Sequence, residues 1–153
     1  MSAGQGPTIE VRRVELRDAA AVEELIGELG YARTLDEVQS WIAALDARGE
    51  SQAALVAVVE GEVVGWIAVA IDRPLQSEAH GHITGLVVKD GRRGLGIGRR
   101  LCEAAEGWTR ERGVNALRVL SRSTREEAHR FYVRDGYGVV KTSVVFEKRL
   151  GDE

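Results

Sequence analysis

The sequence is poor in several features, and each scarcity excludes a class of protein. A single cysteine, Cys102, cannot form a disulfide within the chain, which favours a reducing compartment. The longest apolar run, 63–71, is far too short to cross a bilayer as a helix. Residues 1–7 are polar and glycine-rich and do not resemble a secretory signal. We therefore expect a cytoplasmic protein, with Cys102 as a small core residue.

The charge balance excludes partners that need a strongly basic surface. The 153 residues include 21 Lys and Arg against 24 Asp and Glu, a formal net charge of −3. Neither nucleic acid nor an acidic membrane is therefore an expected partner. The length suits one domain with its own core, and no repeat or linker interrupts it. The expected organisation is a flexible N-terminus over 1–7, a single domain over 8–150 and a frayed tail over 151–153.

Hydrophobic periodicity predicts an α/β (α+β) protein with the order β-α-α-β-β-β-α-β-α-β-β. A hairpin followed by a β-α-β unit implies one mixed, mostly antiparallel twisted sheet of six to seven strands, with about four helices on both faces. The predicted strands are 8–14, 53–60, 62–71, 82–88, 116–120, 139–140 and 143–148. Capping residues place helix starts at Asp18, at Thr34 with its partner Glu37, after the glycine-rich segment 91–98, and at Ser123 or Thr124.

A glycine-rich turn joins the fourth strand to the third helix. Gly91, Gly94, Gly96 and Gly98 lie between an apolar strand pattern and a helical pattern. Glycine allows positive φ and lets backbone N–H groups approach a ligand closely. A helix start adds unpaired N–H groups and the positive end of the dipole. The turn therefore predicts a phosphate cradle, with added charge from Arg92, Arg93, Arg99 and Arg100.

Two common phosphate-binding motifs do not fit this turn. Gly98 is followed by Arg99, so the Gly-Lys-Ser/Thr ending of a Walker A loop is absent. The dinucleotide fingerprint G-x-G-x-x-G fails from Gly94 and also from Gly96. The pattern Arg93-x-x-Gly96-x-Gly98 instead resembles the pyrophosphate motif of the GCN5-related N-acetyltransferase (GNAT) superfamily. The segment 128–137, with Phe131 and Tyr132, is similar to a second signature of that family, and the resemblance covers essentially the whole chain.

The resemblance implies acetyl-CoA as co-substrate, without a metal, and assigns roles to residues. The strand before the turn would hold the pantetheine arm through the backbone of Leu86 and Val88, and it would splay from its neighbour to admit the thioester. Gly85 marks either a bulge that starts this opening or a point of close packing. The cofactor-binding residues implied are Leu86, Val87, Val88, Arg93, Gly94, Leu95, Gly96, Ile97, Gly98 and Arg99.

Tyr132 occupies the position where many family members place a general acid. A phenol with a pKa near ~10 can protonate a departing thiolate because the two pKa values are close. The alternative is a half-buried aromatic side chain that packs beside Phe131. The general base stays open among His80, His82 and water. Arg125 stands where many members carry an asparagine, which leaves its contact with the cofactor arm open.

The acceptor is the least defined part. The resemblance places it among the first two helices, their connection at 31–34 and the loop 72–78. The segment 81–85 resembles the pattern Gly-His-Ile-Glu-Asp of glucosamine-phosphate acetyltransferases, but Thr84 and Gly85 stand where that pattern has its two acidic residues. The pattern is therefore incomplete. We expect an N-acetyltransferase for a primary amine of a small molecule, of the bacterial aminoglycoside-like type. The oligomeric state stays open, and the resemblance makes a homodimer the candidate assembly. The alternatives are a protein lysine or N-terminal acetyltransferase and a non-catalytic acyl-CoA-binding regulator.

Overall fold

The computed structural model describes residues 8–120 and 125–151, in two compact units that divide after Leu120. The predicted order of strands and helices is confirmed as far as the fourth helix. Short 3-10 turns at Leu16–Asp18 and Gly49–Ser51 flank the first two helices. The first unit contains β1 (Ile9–Arg13), α1 (Ala19–Leu29), α2 (Leu35–Arg48), β2 (Gln52–Val59), β3 (Glu62–Asp72), β4 (His80–Val88), α3 (Ile97–Glu111) and β5 (Leu117–Val119), and the second contains α4 (Glu126–Arg134).

The first unit is a five-stranded sheet in the order β1-β2-β3-β4-β5. All neighbours are antiparallel except β4 and β5, which are parallel. Val56, Trp66 and Ala68 point to the face covered by α1 and α2. Gly65 lies on the opposite face, directly beneath Leu101 of α3. The predicted mixed, mostly antiparallel sheet with helices on both faces is confirmed.

The helix starts show how local sequence sets the fold. Thr34 and Glu37 form the predicted capping box, with the Glu37 N–H donating to Thr34 Oγ1 at 3.1 Å and the Thr34 N–H to Glu37 Oε1 at 2.9 Å. Asp18 precedes α1 as predicted, but its carboxylate accepts from Arg12 at 2.8 and 3.0 Å and from the Glu15 N–H at 2.7 Å. Asp18 therefore ties β1 to the turn before α1 and does not cap α1 with its side chain.

The hairpin between β2 and β3 turns at Glu60 and Gly61, where the two predicted strands meet. Both residues have positive φ, 51° and 81°. A two-residue turn with this backbone has the twist that a hairpin needs. Glu62, the first residue of β3, is thereby fixed at the tip of the hairpin.

The described residues contain five strands, fewer than the six to seven predicted. In the second unit, residues 138–151 have no regular secondary structure, so the predicted strands at 139–140 and 143–148 are wrong. A strand requires hydrogen bonds to a neighbouring backbone, and alternating apolar residues cannot supply that partner. Val144, Val145 and Phe146 are accordingly highly exposed. The predicted cap at Ser123 or Thr124 lies outside the described residues, and no helix in the described ranges is long and apolar enough to span a membrane.

Candidate functional site

The glycine-rich turn has the backbone that its sequence predicts. Gly91, Gly94 and Gly96 have φ values of 86°, 83° and 83°. A Cβ at any of the three would meet no atom within 4 Å, so backbone conformation, and not crowding, requires glycine there. Gly96 precedes α3 without a capping side chain, and Ile97 is buried, which anchors the helix start. Such an uncapped helix start can bind an anion through its N–H groups.

An ion pair attaches the beginning of this loop to the β2–β3 hairpin. The carboxylate of Glu62 accepts hydrogen bonds from Lys89 Nζ and from Arg92 Nη2, the latter at 2.7 Å. The Lys89 N–H also donates to the Val64 carbonyl at 2.8 Å. The hydrogen bond from Lys89 lowers the pKa of Glu62 below its ordinary value, and Arg92 acts in the same direction. Arg92 therefore helps to hold the glycine-rich loop against the hairpin in this structure, whereas the sequence analysis counted it among the charges around the phosphate cradle.

Helix α1 supplies a second anchor for the loop. The Asp90 N–H donates to Glu28 Oε1 at 2.7 Å. Beyond this anchor the arginines are exposed: Arg93 lies 3.8 Å from Asp90, and Arg99 lies 3.5 Å from Glu103, at long ion-pair distances. The loop is thus held at its first residues, and its later cations lie at the surface near the start of α3.

The edge of β4 opens towards β5. The two strands pair only over Gly81–Ile83 and Leu117–Val119. Within 8–120, β4 has no strand partner on that side from Thr84 onwards. On the other side, Ala68 pairs with Gly85 but Val69 pairs with Ile83, which leaves Thr84 as the extra residue of a bulge. Within the first unit, the main chain of 84–88 therefore has an edge without a strand partner, which is the kind of backbone that a ligand can pair with.

The bulge and the close packing expected as alternatives at Gly85 both occur, at adjacent residues. The bulged residue is Thr84, whose hydroxyl donates to the Ala68 carbonyl at 3.4 Å. Gly85 lies against the indole ring of Trp66. Leu86, Val87 and Val88 continue β4 opposite β3, and Val87 points into the core. Leu86 and Val88 are partly exposed beside the open edge.

Two histidines at the start of β4 form a titratable cluster that sequence analysis located only in part. His80 is the buried first residue of β4, so the strand begins two residues before the predicted range of 82–88. Its Nε2 lies 3.6 Å from Asp72 Oδ2, and its Nδ1 lies 3.3 Å from the Glu78 carbonyl oxygen. His82, half-buried, pairs with Arg118 of β5. No group of three or more His, Cys, Asp or Glu in the described residues could hold a metal ion.

A shallow groove runs along the exposed side of α1 and the connection to α2. Its volume is about 570 Å³, and its polar lining includes Glu23, Glu24, Tyr31 and Arg33. Arg33 lies 3.7 Å from Glu37, so its charge is partly balanced. The connection 31–34 was the expected acceptor region. The groove presents two carboxylates and an aromatic ring, which suits a positively charged ligand.

Tyr132 belongs to the second unit, whereas the other predicted site residues belong to the first. It lies on α4, half-buried, with its ring edge-to-face against Phe131 at 5.2 Å and Tyr137 at 5.8 Å. The Tyr137 N–H donates to the Tyr132 carbonyl at 2.9 Å, which closes the turn after the helix. The ring is therefore oriented by its own unit. This packing is compatible with a structural role and also with general acid chemistry.

Comparisons with known proteins show which family the chain resembles in sequence and in fold. The model of the acetyltransferase (GNAT) family matches residues 17–137. An aminoalkylphosphonate N-acetyltransferase of Salmonella typhimurium is 33% identical over 86% of each chain, and an aminoglycoside N(6′)-acetyltransferase of Stenotrophomonas maltophilia is 29% identical over 94% of each. A crystal structure of an aminoglycoside N-acetyltransferase in complex with CoA superposes with a TM-score of 0.84 at 15% identity, covering 97% of this chain and 99% of that one.

The matched region spans both units. It contains the loop with its left-handed glycines, the open edge of β4 and the α4 segment that carries Phe131 and Tyr132. The chain therefore belongs to the GNAT family of acetyltransferases and is an acetyl-CoA-dependent N-acetyltransferase.

Proposed function

We propose that this enzyme transfers the acetyl group of acetyl-CoA to a primary amine of a small molecule, by direct attack of the amine on the thioester. The observation that carries the proposal is an open β4 edge that is followed, through the glycine-rich loop, by the uncapped start of α3. The first can accept an extended arm through backbone hydrogen bonds, and the second can accept a pyrophosphate. Acetyl-CoA has both parts in one molecule.

In this proposal the cofactor is bound mainly by backbone groups. The pyrophosphate binds the N–H groups of the segment 94–99, comprising Gly94, Leu95, Gly96, Ile97, Gly98 and Arg99, where the α3 dipole is positive. Arg93 and Arg99 are exposed beside it and add charge. The pantetheine arm follows the unpaired main chain of Leu86 and Val88, while Val87 keeps this stretch of β4 in the core.

The chemistry requires a donor for the tetrahedral oxyanion and a proton for the departing thiolate. A backbone N–H on the open edge of β4 is preorganised to stabilise the oxyanion, because the strand is fixed by its pairing with β3. Tyr132 supplies the proton as general acid. Its phenol has a pKa of about 10 in water, close to that of a thiol. No metal takes part in this scheme.

The acceptor we propose is a cationic amine of the aminoglycoside type. The substrates named for the two relatives differ in the charge that they carry besides the reacting amine. An aminoalkylphosphonate carries a negative phosphonate group, whereas an aminoglycoside carries further positive amines. The groove on α1 favours the second, since Glu23 and Glu24 attract cations and Arg33 is partly balanced by Glu37. The same proposal includes a bacterial enzyme, which the bacterial origin of both relatives supports, working in the cytoplasm. It also includes a homodimer that binds neither nucleic acid nor membranes, in line with the net charge of −3.

A coenzyme A release assay with a panel of amines tests the proposal. The panel comprises aminoglycosides, an aminoalkylphosphonate and a peptide with both a lysine and a free N-terminus, with the acetylated product identified by mass spectrometry. We expect release with the aminoglycosides above all. The double variant E23Q/E24Q should raise the KM for them and leave the KM for acetyl-CoA unchanged.

Three outcomes contradict the proposal. Release with the peptide alone indicates a protein acetyltransferase. Release with the phosphonate alone contradicts the assignment of the α1 groove. Tight acetyl-CoA binding without release on any amine indicates a regulator.

A further inference from the structure

The cluster at the start of β4 contains three side chains that the scheme above does not use. Asp72 pairs with His80 across β3 and β4, and Ala70 pairs with His82. Because side chains alternate along a strand, His80, His82 and Asp72 lie on one face of the sheet. Gly81, between the histidines, faces α3, where a Cβ would lie 2.8 Å from Thr109 Oγ1. The histidines therefore lie on the face opposite α3.

His82 lies where the open edge of β4 begins. Its parallel neighbour is Arg118, and pairing between β4 and β5 ends one residue later, at Ile83. The bulged Thr84 follows directly. His82 is half-buried, so its imidazole is held by the strand while part of it stays accessible. His80 is buried and paired with Asp72, which leaves His82 as the accessible imidazole of the two.

We propose that His82 accepts the proton that the attacking amine must lose, and that His80, paired with Asp72, is the positioning residue beside it. This inference rests on the proposed acetylation of an amine, because only an amine that arrives as an ammonium needs such a base. It does not depend on whether the amine belongs to a small molecule or to a peptide.

The proton balance is complete with the groups already named. The bound ammonium gives one proton to the neutral imidazole of His82, and the freed nitrogen lone pair forms the C–N bond to the acetyl carbon. Collapse of the tetrahedral intermediate breaks the C–S bond. The nitrogen's second proton restores Tyr132 after that phenol has protonated the thiolate. His82 then releases its proton to water, so the products are the amide, coenzyme A and one proton.

The surroundings of His82 keep it neutral near pH 7. Burial lowers the pKa of His82 below 6.5, and the charge of His80 on the same strand lowers it further. Asp72 on β3 raises that pKa, and Arg118 on β5 lowers it. The net direction is downward, so the base form persists into mildly acidic solution. A base must be unprotonated before reaction, and this environment meets that condition.

Replacing each of the three histidines in turn tests the proposal. His129 on α4 has no role in the proposal and serves as the control. The measurement is kcat against pH with saturating acetyl-CoA and whichever amine turns over best. In the wild type we expect kcat to fall through one ionisation below pH 6.5. His82→Gln should lower kcat by about 100-fold or more, as loss of a general base does, and remove that ionisation. Its affinity for acetyl-CoA, from calorimetry, should stay within about twofold, because the replacement removes no group assigned to the cofactor.

The other two variants separate positioning from catalysis. His129→Gln should leave both kcat and the acidic ionisation unchanged. His80→Gln should keep most of kcat but move the ionisation to higher pH, since the lowering effect of the His80 charge is lost. An acidic ionisation that persists in His82→Gln, or a kcat close to that of the wild type, overturns the proposal. A wild type that binds acetyl-CoA but acetylates no amine overturns the proposed function itself, and with it the need for a base.

Discussion

The indole ring of Trp66 lies directly over Gly85 on the neighbouring strand. A Cβ built on Gly85 would be 2.7 Å from Trp66 Cζ3 and 3.2 Å from Cη2. Trp66 is buried and packs edge-to-face against Trp41, with ring centroids 6.0 Å apart. The ring therefore has little room to move away. This contact fixes the strand beside the bulge at Thr84.

Gly85→Ala is expected to destabilise the protein by about 1–3 kcal/mol, the cost of overpacking a filled core. Urea unfolding followed by circular dichroism measures it. Gly107→Ala is the matched control, since a Cβ there meets no atom within 4 Å and Gly107 lies inside α3. Alanine should stabilise that helix by up to about 1 kcal/mol. Equal stability of the two variants would contradict the packing argument.

Glu62→Gln should weaken the attachment of the glycine loop to the hairpin. The neutral amide loses the ion pairs to Lys89 and Arg92, and the loop is then less well ordered before acetyl-CoA binds. We expect the KM for acetyl-CoA to rise several-fold while kcat at saturation stays unchanged. Steady-state kinetics at fixed amine concentration measure both.

Glu60→Gln is the control for this variant. It makes the same change of charge in the same turn, and Glu60 takes part in none of the ion pairs found among the described residues. Its KM should equal that of the wild type. A KM for Glu62→Gln at or below the wild-type value would show that the ion pairs of Glu62 with Lys89 and Arg92 do not order the loop.

Tyr132→Phe removes the hydroxyl that we assign as general acid and keeps the aromatic packing on Phe131 and Tyr137. Loss of general acid catalysis should lower kcat by about 100-fold or more, with the Kd for acetyl-CoA little changed. Tyr137→Phe makes the same chemical change on the ring that packs against Tyr132, and it should leave kcat unaffected. If Tyr132→Phe retains full turnover, Tyr132 has no part in the proton transfer and its role is structural.

The ion pair between Arg12 and Asp18 predicts a dependence of stability on pH. Burial raises the pKa of Asp18, but hydrogen bonds from Arg12 and the Glu15 N–H lower it more, to below 3.8. The unfolded state therefore binds more protons between the two pKa values. The stabilisation is complete above the unfolded value and is lost as the pH falls through the folded value.

Asp18→Asn should therefore lower the free energy of unfolding at pH 7 by about 1–3 kcal/mol, because Arg12 loses a charged acceptor. The difference from the wild type should shrink as the pH falls below about 4, where Asp18 itself becomes protonated. Urea unfolding across this pH range measures the effect. Asp46→Asn, at an exposed carboxylate near the end of α2, should show no such pH-dependent difference. A constant difference at all pH values would contradict the ion-pair assignment.

Features that depend on neighbouring residues were predictable. The capping box of Thr34 and Glu37 and the left-handed turns at Gly91, Gly94 and Gly96 follow from residue types at short spacing. Each forms within a few residues, where backbone sterics and one or two hydrogen bonds decide the conformation. The same locality let the family motifs be recognised, because each motif is a short run of neighbouring residues.

Features that join distant parts of the chain were not predictable. Glu62 meets Arg92, and the Asp90 N–H meets Glu28, only because the sheet brings β3, β4 and α1 together. His80 lies before the predicted strand of 82–88, yet pairing with Asp72 makes it the buried start of β4. The predicted strands at 139–140 and 143–148 are absent because a strand needs a neighbouring backbone to pair with. An alternating pattern of apolar residues does not show whether such a partner exists. Local sequence thus predicts the glycine-rich loop and its left-handed turns, while the packing of strands decides which residues attach to that loop and which imidazole lies beside the open edge.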